Sequence, residues 1–254
     1  MHRDTRRNLN AGGETGAIVT TGPTTEDRGL LLTIDDESAD GIAGSVYREL
    51  RAAICDFRLE PNQRLVQNNL ADQLGISRTP VRDALMRLAQ EGLVHPAPQR
   101  GGYLVSEFTA REVLDIYDVR LALEPLAASQ AAGHHTAVEI AMLRELNSAI
   151  AAQAEAPRDD TFELNREFHG LVISRSENVI ICRMLDQLWS MPSALRMYNL
   201  QMVADHDPES MVSEHEQIIT ALEAGDGARV ANDVRSHVTK ARAEAVEHVE
   251  QSGL

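Results

Sequence analysis

Three of the nine histidines and a pair of arginines carry the chemistry this 254-residue chain could perform. Asn165 and His169 are four apart, so they share one helix face. His215 lies in Glu214-His215-Glu216-Gln217-Ile218-Ile219-Thr220-Ala221-Leu222, where Ile218, Ile219 and Leu222 mark the inward side of a helix. His237 lies in Val234-Arg235-Ser236-His237-Val238. Imidazoles that converge from separate helices make a ready site for a divalent transition ion. From spacing alone a second reading stays open, in which each ring is a core residue satisfied by one hydrogen bond. Arg78 and Arg82 are also four apart, at the start of a helix that follows Leu74-Gly75-Ile76-Ser77. Their guanidinium forks suit guanine edges and phosphates. Arg120 and Glu124 fit either an intrahelical ion pair or a polar wall for a ligand, and Arg196 is a similar ligand candidate. Trp189, Met191, Met197, Tyr198 and Met202 fit the same cavity or a plain core stripe.

The elements that must position these residues show in the apolar period. Ile42, Val46, Leu50, Ile54 and Phe57 line one face of a first helix, which Pro61-Asn62 breaks. A short helix over 67–74 ends at Gly75, with Leu70, Ala71 and Leu74 inward. Ser77 is the N-cap candidate for a helix over 78–90 that buries Val81, Leu85 and Leu88. Residues 93–95 and 103–106 read as two strands around Pro96, Pro98, Gly101 and Gly102, a hairpin. Helix, helix, turn, helix and hairpin in this order predict a winged helix-turn-helix over 41–108. In it Arg78, Thr79 and Arg82 face DNA, Arg100 and Gly101 in the wing reach a groove or backbone, and Arg64 and Gln67 are weaker phosphate candidates. From 109 to 254 the pattern is helical, with about six helices: 109–132, 136–155, 159–175, 178–203, 208–224 and 227–250. Thr109 and Asp226 are N-cap candidates, Pro208 sits in a first turn after Asp207, and Gly133 and Gly225 are stops. The fold class expected is mainly α, with a small β-hairpin and a C-terminal antiparallel bundle. Residues 1–40 show no sustained period and are expected to be a disordered tail.

Charge separates these parts. The chain carries a net −15. Residues 41–108 hold 8 Arg and 7 Asp/Glu and no lysine, whereas 109–254 hold 12 Lys/Arg and 24 Asp/Glu. An anionic protein is a poor DNA ligand in bulk, so the near-neutral, arginine-only segment is where DNA would bind. Only two cysteines occur, Cys55 and Cys182, which excludes a disulfide scaffold or a cysteine zinc knuckle and suits a reducing cytoplasm. No apolar run approaches bilayer length and none forms a signal core. No H-E-x-x-H motif marks a metalloprotease. A metal enzyme and an architectural DNA binder are the other classes weighed; the DNA-reading segment argues against the first.

Arg64-Leu65, Leu70-Ala71, Leu74-Gly75, Ser77-Arg78-Thr79-Pro80-Val81-Arg82, Ala84-Leu85, Leu88 and Glu91-Gly92-Leu93-Val94 resemble the N-terminal domain of GntR-family transcription regulators. Two residues depart from that pattern: Asn62 stands where relatives usually carry Gly after Pro, and Asn68 stands near a position often acidic or Arg. Arg120-x-x-Leu123-Glu124-Pro125-Leu126, Asn165-x-x-Phe168-His169, Ser176-Glu177-Asn178, Glu214-His215 and His237 resemble the FCD ligand-binding domain of the FadR subfamily. The resemblance implies a metal set of Asn165, His169, His215 and His237, with Asn165 replacing the usual Asp. It also implies a divalent ion (Zn, Ni or Mn), a small organic acid effector, a homodimer on an inverted-repeat operator, and repression as the commoner behaviour. The protein expected is a cytoplasmic DNA-binding regulator and not an enzyme.

Overall fold

The computed structural model describes residues 41–98, 101–152, 158–203 and 208–252. The expected tail over 1–40, the wing residue Arg100 and Asp207, which precedes Pro208, lie outside them. Among the described residues the chain forms ten helices and one small sheet. The first part holds α1 (Gly41–Cys55), β1 (Arg64–Leu65), α2 (Gln67–Leu74), α3 (Arg78–Gln90), β2 (Val94–Pro96) and β3 (Tyr103–Val105). The sheet is antiparallel in the order β1-β3-β2, with Arg64 opposite Leu104 and Val94 opposite Val105. Val46, Leu50 and Ile54 of α1, Leu70 of α2, Val81, Leu85 and Leu88 of α3, and Val105 form one buried core. The expected hairpin is present, with its first strand one residue later. The third strand, β1, was not expected. Two residues are too short to display an alternating pattern, and only pairing with β3 defines it.

Local chemistry explains the joints. Gly75 ends α2 in the left-handed conformation, φ 65°, and its N–H reaches back to carbonyls of α2. Ser77 occupies the N-cap position of α3 in extended conformation, but its side chain makes no capping bond. α1 stops at Cys55, two residues short of Phe57, which lies at φ 58°. Asn62 lies at φ 63° and donates its side-chain amide to Glu107 at 2.9 Å. That conformation accounts for the glycine usual at this point, and Asn is the residue that best tolerates it after Gly.

The second part holds α4 (Ala110–Ala131), α5 (Ala137–Ala152), α6 (Arg158–Ile173), α7 (Val179–Trp189), α8 (Pro192–Val203), α9 (Pro208–Glu223) and α10 (Gly227–Ser252). α10 packs along α4, α9 and α8, and α5 packs on α6 and α9. Thr109 caps α4 in a reciprocal box with Glu112, and Asp226 accepts the Arg229 N–H at the start of α10. The expected helix over 178–203 is two helices, so the bundle has seven rather than about six. Proline lacks an N–H and clashes with the preceding turn, so a helix restarts at Pro192 rather than running through it. The apolar period continues across the break, which hides it from a periodicity reading.

Gly102 lies at φ 83°, and a Cβ there would stand 2.5 Å from the Leu65 carbonyl oxygen. Gly102→Ala therefore strains the backbone and pushes the wing off β1. It should cost about 1–3 kcal/mol in urea denaturation; an unchanged midpoint would contradict the close approach.

Candidate functional site

The first candidate surface is the exposed edge of α3. Val81, Ala84, Leu85 and Leu88 are buried, and Arg78, Thr79 and Arg82 point away from them into solvent. Arg82 pairs with Asp83 at 3.0 Å on the open surface, a contact of small worth that a phosphate or base can replace. Arg87 does not join this edge. Its guanidinium lies 3.7 Å over the Tyr47 ring, and Tyr47 donates its hydroxyl to Glu91 at 2.6 Å, which locks α1 to α3. Burial, together with the Glu91 carboxylate, pushes the Tyr47 phenol up to about 12. Arg64 of β1 donates to the Gly101 carbonyl from Nε and Nη2, at 3.2 and 3.0 Å, and so holds the wing. Gln67 stands half-exposed at the first position of α2.

The second candidate is a buried histidine cluster where α6, α9 and α10 meet. His169, His215 and His237 are all buried, and one nitrogen from each lies within 4.8 Å of the others. Tetrahedral ligands at 2.0–2.1 Å from a zinc ion stand roughly 3.3 Å apart, so small ring rotations close the set. Each ring is held from behind. His237 Nδ1 is 2.8 Å from Glu214 Oε2, His215 Nδ1 is 3.1 Å from Asn147 Oδ1, and His169 Nδ1 is 3.5 Å from Glu124 Oε2. Asn147 spends its amide N–H on the Val212 carbonyl at 2.9 Å. Its oxygen must then accept, so His215 Nδ1 carries the proton and Nε2 the lone pair. The same logic holds for the two rings that face carboxylates. Asn165 is buried beside this set, on α6 one turn before His169. Its Oδ1 and the Nε2 of His169 are buried with no hydrogen-bond partner. A buried acceptor left unsatisfied costs about 1–3 kcal/mol, a cost that a ligand would remove.

Charges around the pocket are balanced in pairs. Arg120 Nε lies 2.7 Å from Glu124 Oε1, with both side chains nearly inaccessible. Lys240 lies 2.9 Å from Glu214. Burial would raise the Glu214 carboxyl, but hydrogen bonds from His237 and Lys240 outweigh it and hold it at about 2. Burial, and then the Arg120 charge and the electrostatic effect of having two further imidazoles beside it, push His169 well below the usual histidine value. The ring is neutral and its lone pair is available.

Residues 42–105 match the family described as bacterial regulatory proteins, gntR family, and residues 115–240 match the FCD domain. The HTH-type transcriptional regulator McbR of Escherichia coli (strain K12) is 30% identical over 182 residues, covering 71% of this chain and 82% of McbR. The chain belongs to the GntR family. The HTH-type transcriptional repressor RspR of the same organism is 28% identical over 207 residues, covering 81% of this chain and 89% of RspR. The solved structure of E. coli McbR/YncC superposes with a TM-score of 0.60 at 27% identity, over 81% of this chain and 97% of that one. This GntR protein with an FCD domain is thus a transcription regulator and not an enzyme.

The fold brings Asn165, His169, His215, His237 and Arg120 to one region of this regulator, Arg120 through Glu124. It takes Arg196 elsewhere. Arg196 donates to the carbonyls of Ser106 and Glu107, both at 3.3 Å, and stacks near Phe108 and Phe57. Those partners belong to the segment joining β3 to α4 and to the end of α1. Sequence reasoning did not find Asn147 or the ring-holding roles of Glu124 and Glu214. Glu214 precedes His215 directly and so points at a different neighbour, His237, and only helix packing reveals the match. Trp189 stacks on His169, ring centroids 5.2 Å apart and planes at 20°.

His169 supplies a pH test. On unfolding, its ring takes up a proton near pH 6.5 that the folded ring refuses. Without metal, stability therefore falls as pH drops below 6.5, by about 1.4 kcal/mol per pH unit until the lower folded value is reached. His169→Gln removes this contribution. Urea melts in chelator at pH 7.5 and 5.5 should show a smaller acid loss for the variant; equal losses would mean the ring is not held neutral.

Proposed function

We propose that this GntR regulator is a ligand-responsive repressor that binds an inverted-repeat operator as a cytoplasmic homodimer. In this reading, residues 41–108 read DNA, and residues 109–254 bind metal and effector and dimerise. Arg78, Thr79 and Arg82 meet base edges and phosphates at the N-terminal end of α3. Arg64 shapes the wing through Gly101, Arg100 extends the wing's contact with DNA, and Gln67 adds a phosphate contact at the helix start. Repression is favoured by likeness to RspR, which is named a repressor.

The observation that carries the sensing half is the buried donor set. His169 Nε2 and Asn165 Oδ1 have no protein partner, while each of the three rings is oriented from its Nδ1 side. Such a set fits one divalent transition ion (Zn, Ni or Mn) held by His169, His215 and His237, with Asn165 as a weaker fourth ligand. When bound, the ion supplies a Lewis-acidic centre for a carboxylate oxygen. Three neutral imidazoles and a neutral amide leave its charge uncompensated, which favours a small organic acid as effector. Arg120 stands behind the pocket wall and keeps Glu124, and so His169, in place. Arg196 has no part in the effector site.

The dimer is favoured by exposed apolar residues on adjoining helices. Val119 and Leu126 are seven apart on α4, and Val179, Ile180 and Met184 lie on α7, which packs against α4. A contiguous apolar face on a soluble chain marks an association surface, and two heads are needed for two half-sites.

Two outcomes follow. Arg78→Ala and Arg82→Ala should each weaken binding to an operator selected from random DNA by about 1–3 kcal/mol, with unchanged melting curves. Unaltered gel-shift titrations of both would remove α3 from the interface. Elemental analysis of untagged protein prepared without chelator should find about one divalent ion per chain, as befits a closed histidine site. Asn165→Asp should tighten that binding and weaken a carboxylate effector, and His215→Ala should lose the ion yet keep operator binding. Protein without bound ion, whose melting temperature ignores added zinc, nickel or manganese, would leave the histidines as ordinary core residues.

A further inference from the structure

The outer face of α6 carries a groove that the function above does not use. It lies between α5 and α7, has a volume of about 650 Å³ and is open to solvent. Small-molecule sites occupy roughly 300–1,000 Å³ and are mostly apolar, with a few placed polar groups. The groove is distinct from the histidine cluster. Glu163 and Glu167 of α6 line it, whereas Asn165 and His169 each stand two residues further on, about 200° round the helix. It is also distinct from the apolar face given to the dimer. Cys182 and Asp186 of α7 line the groove, and Ile180 and Met184 each stand two residues before them, again about 200° away.

The floor is apolar. Met142 of α5 and Leu185 and Trp189 of α7 contribute to it, and Leu185 and Trp189 are buried. Gly170 lies inside α6 and lines the groove as well. A glycine within a helix weakens it relative to alanine. Packing does not explain the choice, because a Cβ on Gly170 would meet no atom within 4 Å. The missing side chain deepens the groove. The rim is anionic. Glu163, Glu167 and Asp186 stand there with one cation, Arg166, so three carboxylates face one guanidinium. Arg166 is already committed: it donates to Glu163 at 3.4 Å, to Asp186 at 3.2 Å and to Ser190 Oγ at 3.1 Å. Glu167 has no ion-pair partner among the described residues.

We propose that this groove binds a small organic cation with an apolar body, a hydrophobic amine. Its ammonium sits among Glu163, Glu167 and Asp186, and its apolar end lies over Gly170 against Leu185 and Trp189. The hydrocarbon leaves water for an apolar floor, and that burial supplies most of the affinity. The rim charges supply the selection for a cation. Met142 adds a flexible, polarizable wall that adapts to the outline of the ligand. This ligand is opposite in sign to the carboxylate that a metal at the histidine cluster would attract, so charge alone directs the two to different sites. The groove does not depend on the cluster holding metal.

The protein supplies two reporters. Trp189 is the one tryptophan of the chain. Cys182 lines the groove and is partly exposed, whereas Cys55, the other cysteine, is fully buried, so iodoacetamide reads Cys182. The test is titration of the full chain, in chelator, with phenylbutylammonium. Phenylbutanol and phenylbutyrate are the matched neutral and anionic probes. The ammonium should change Trp189 emission, slow alkylation of Cys182, and bind about 5- to 10-fold more tightly than the butyrate, the size of one or two exposed charge contacts. High salt should narrow that gap. Glu163→Gln/Glu167→Gln should abolish the preference for the cation and leave binding of the alcohol unchanged. Gly170→Leu fills the floor. It should abolish binding of all three probes without lowering the melting temperature, because leucine is the better helix former. Equal affinity for ammonium and butyrate would overturn the proposal, as would ammonium binding that survives Gly170→Leu or leaves Cys182 alkylation unchanged. An ammonium that does not bind at all overturns it too. If light scattering then shows Gly170→Leu turning a dimer into a monomer, a second copy of the chain covers the groove instead.

Discussion

A buried imidazole must have its ring nitrogens satisfied, and in this protein a polar side chain faces the Nδ1 side of each ring of the cluster. Glu124, Asn147 and Glu214 each take the Nδ1 side of a different histidine. Their placement requires α4, α5 and α9 to lie where they do around α6 and α10. Asn147 in turn is fixed by the Val212 carbonyl, Glu124 by Arg120, and Glu214 by Lys240. An apolar residue at any of these points would pack as well but would leave the rings free to turn. The pocket is thus a constraint on the bundle as much as a product of it.

Much of this was legible in residue spacing, and the division between what was and what was not is physical. The exposed edge of α3 is a local feature. The apolar positions Val81, Leu85 and Leu88 define one face, and what remains must be surface. The inward faces of His169, His215 and His237 follow by the same reasoning. The residues that orient those rings do not, because their matches depend on which helix lies opposite, at separations of 23 to 68 residues. Arg196 shows the same limit. Its place on a helix was clear, but a place on a helix does not name its neighbour, and the neighbour proved to be the segment that joins β3 to α4. The break at Pro192 escaped because periodicity survives a restart in phase, and β1 because two residues cannot display a period.

The charge distribution suits this division of labour. The bundle carries most of the acidic excess and repels a polyanion, while the head is near neutral and offers only arginine as a cation. Such a distribution favours DNA attraction at the head over the bundle.

Arg120 and Glu124 join these strands. Their ion pair lies deep inside the protein. Desolvation offsets most of the attraction in such a pair, so it is weak evidence for stability. What it supplies is direction. Glu124 faces His169 while Arg120 lies over Trp189, and Trp189 stacks on the same His169. The four groups form a closed ring of contacts. The Nε2 side of His169 thus lies against a ring of contacts that ends in Trp189, the last residue of α7 and three residues before Pro192, where α8 begins.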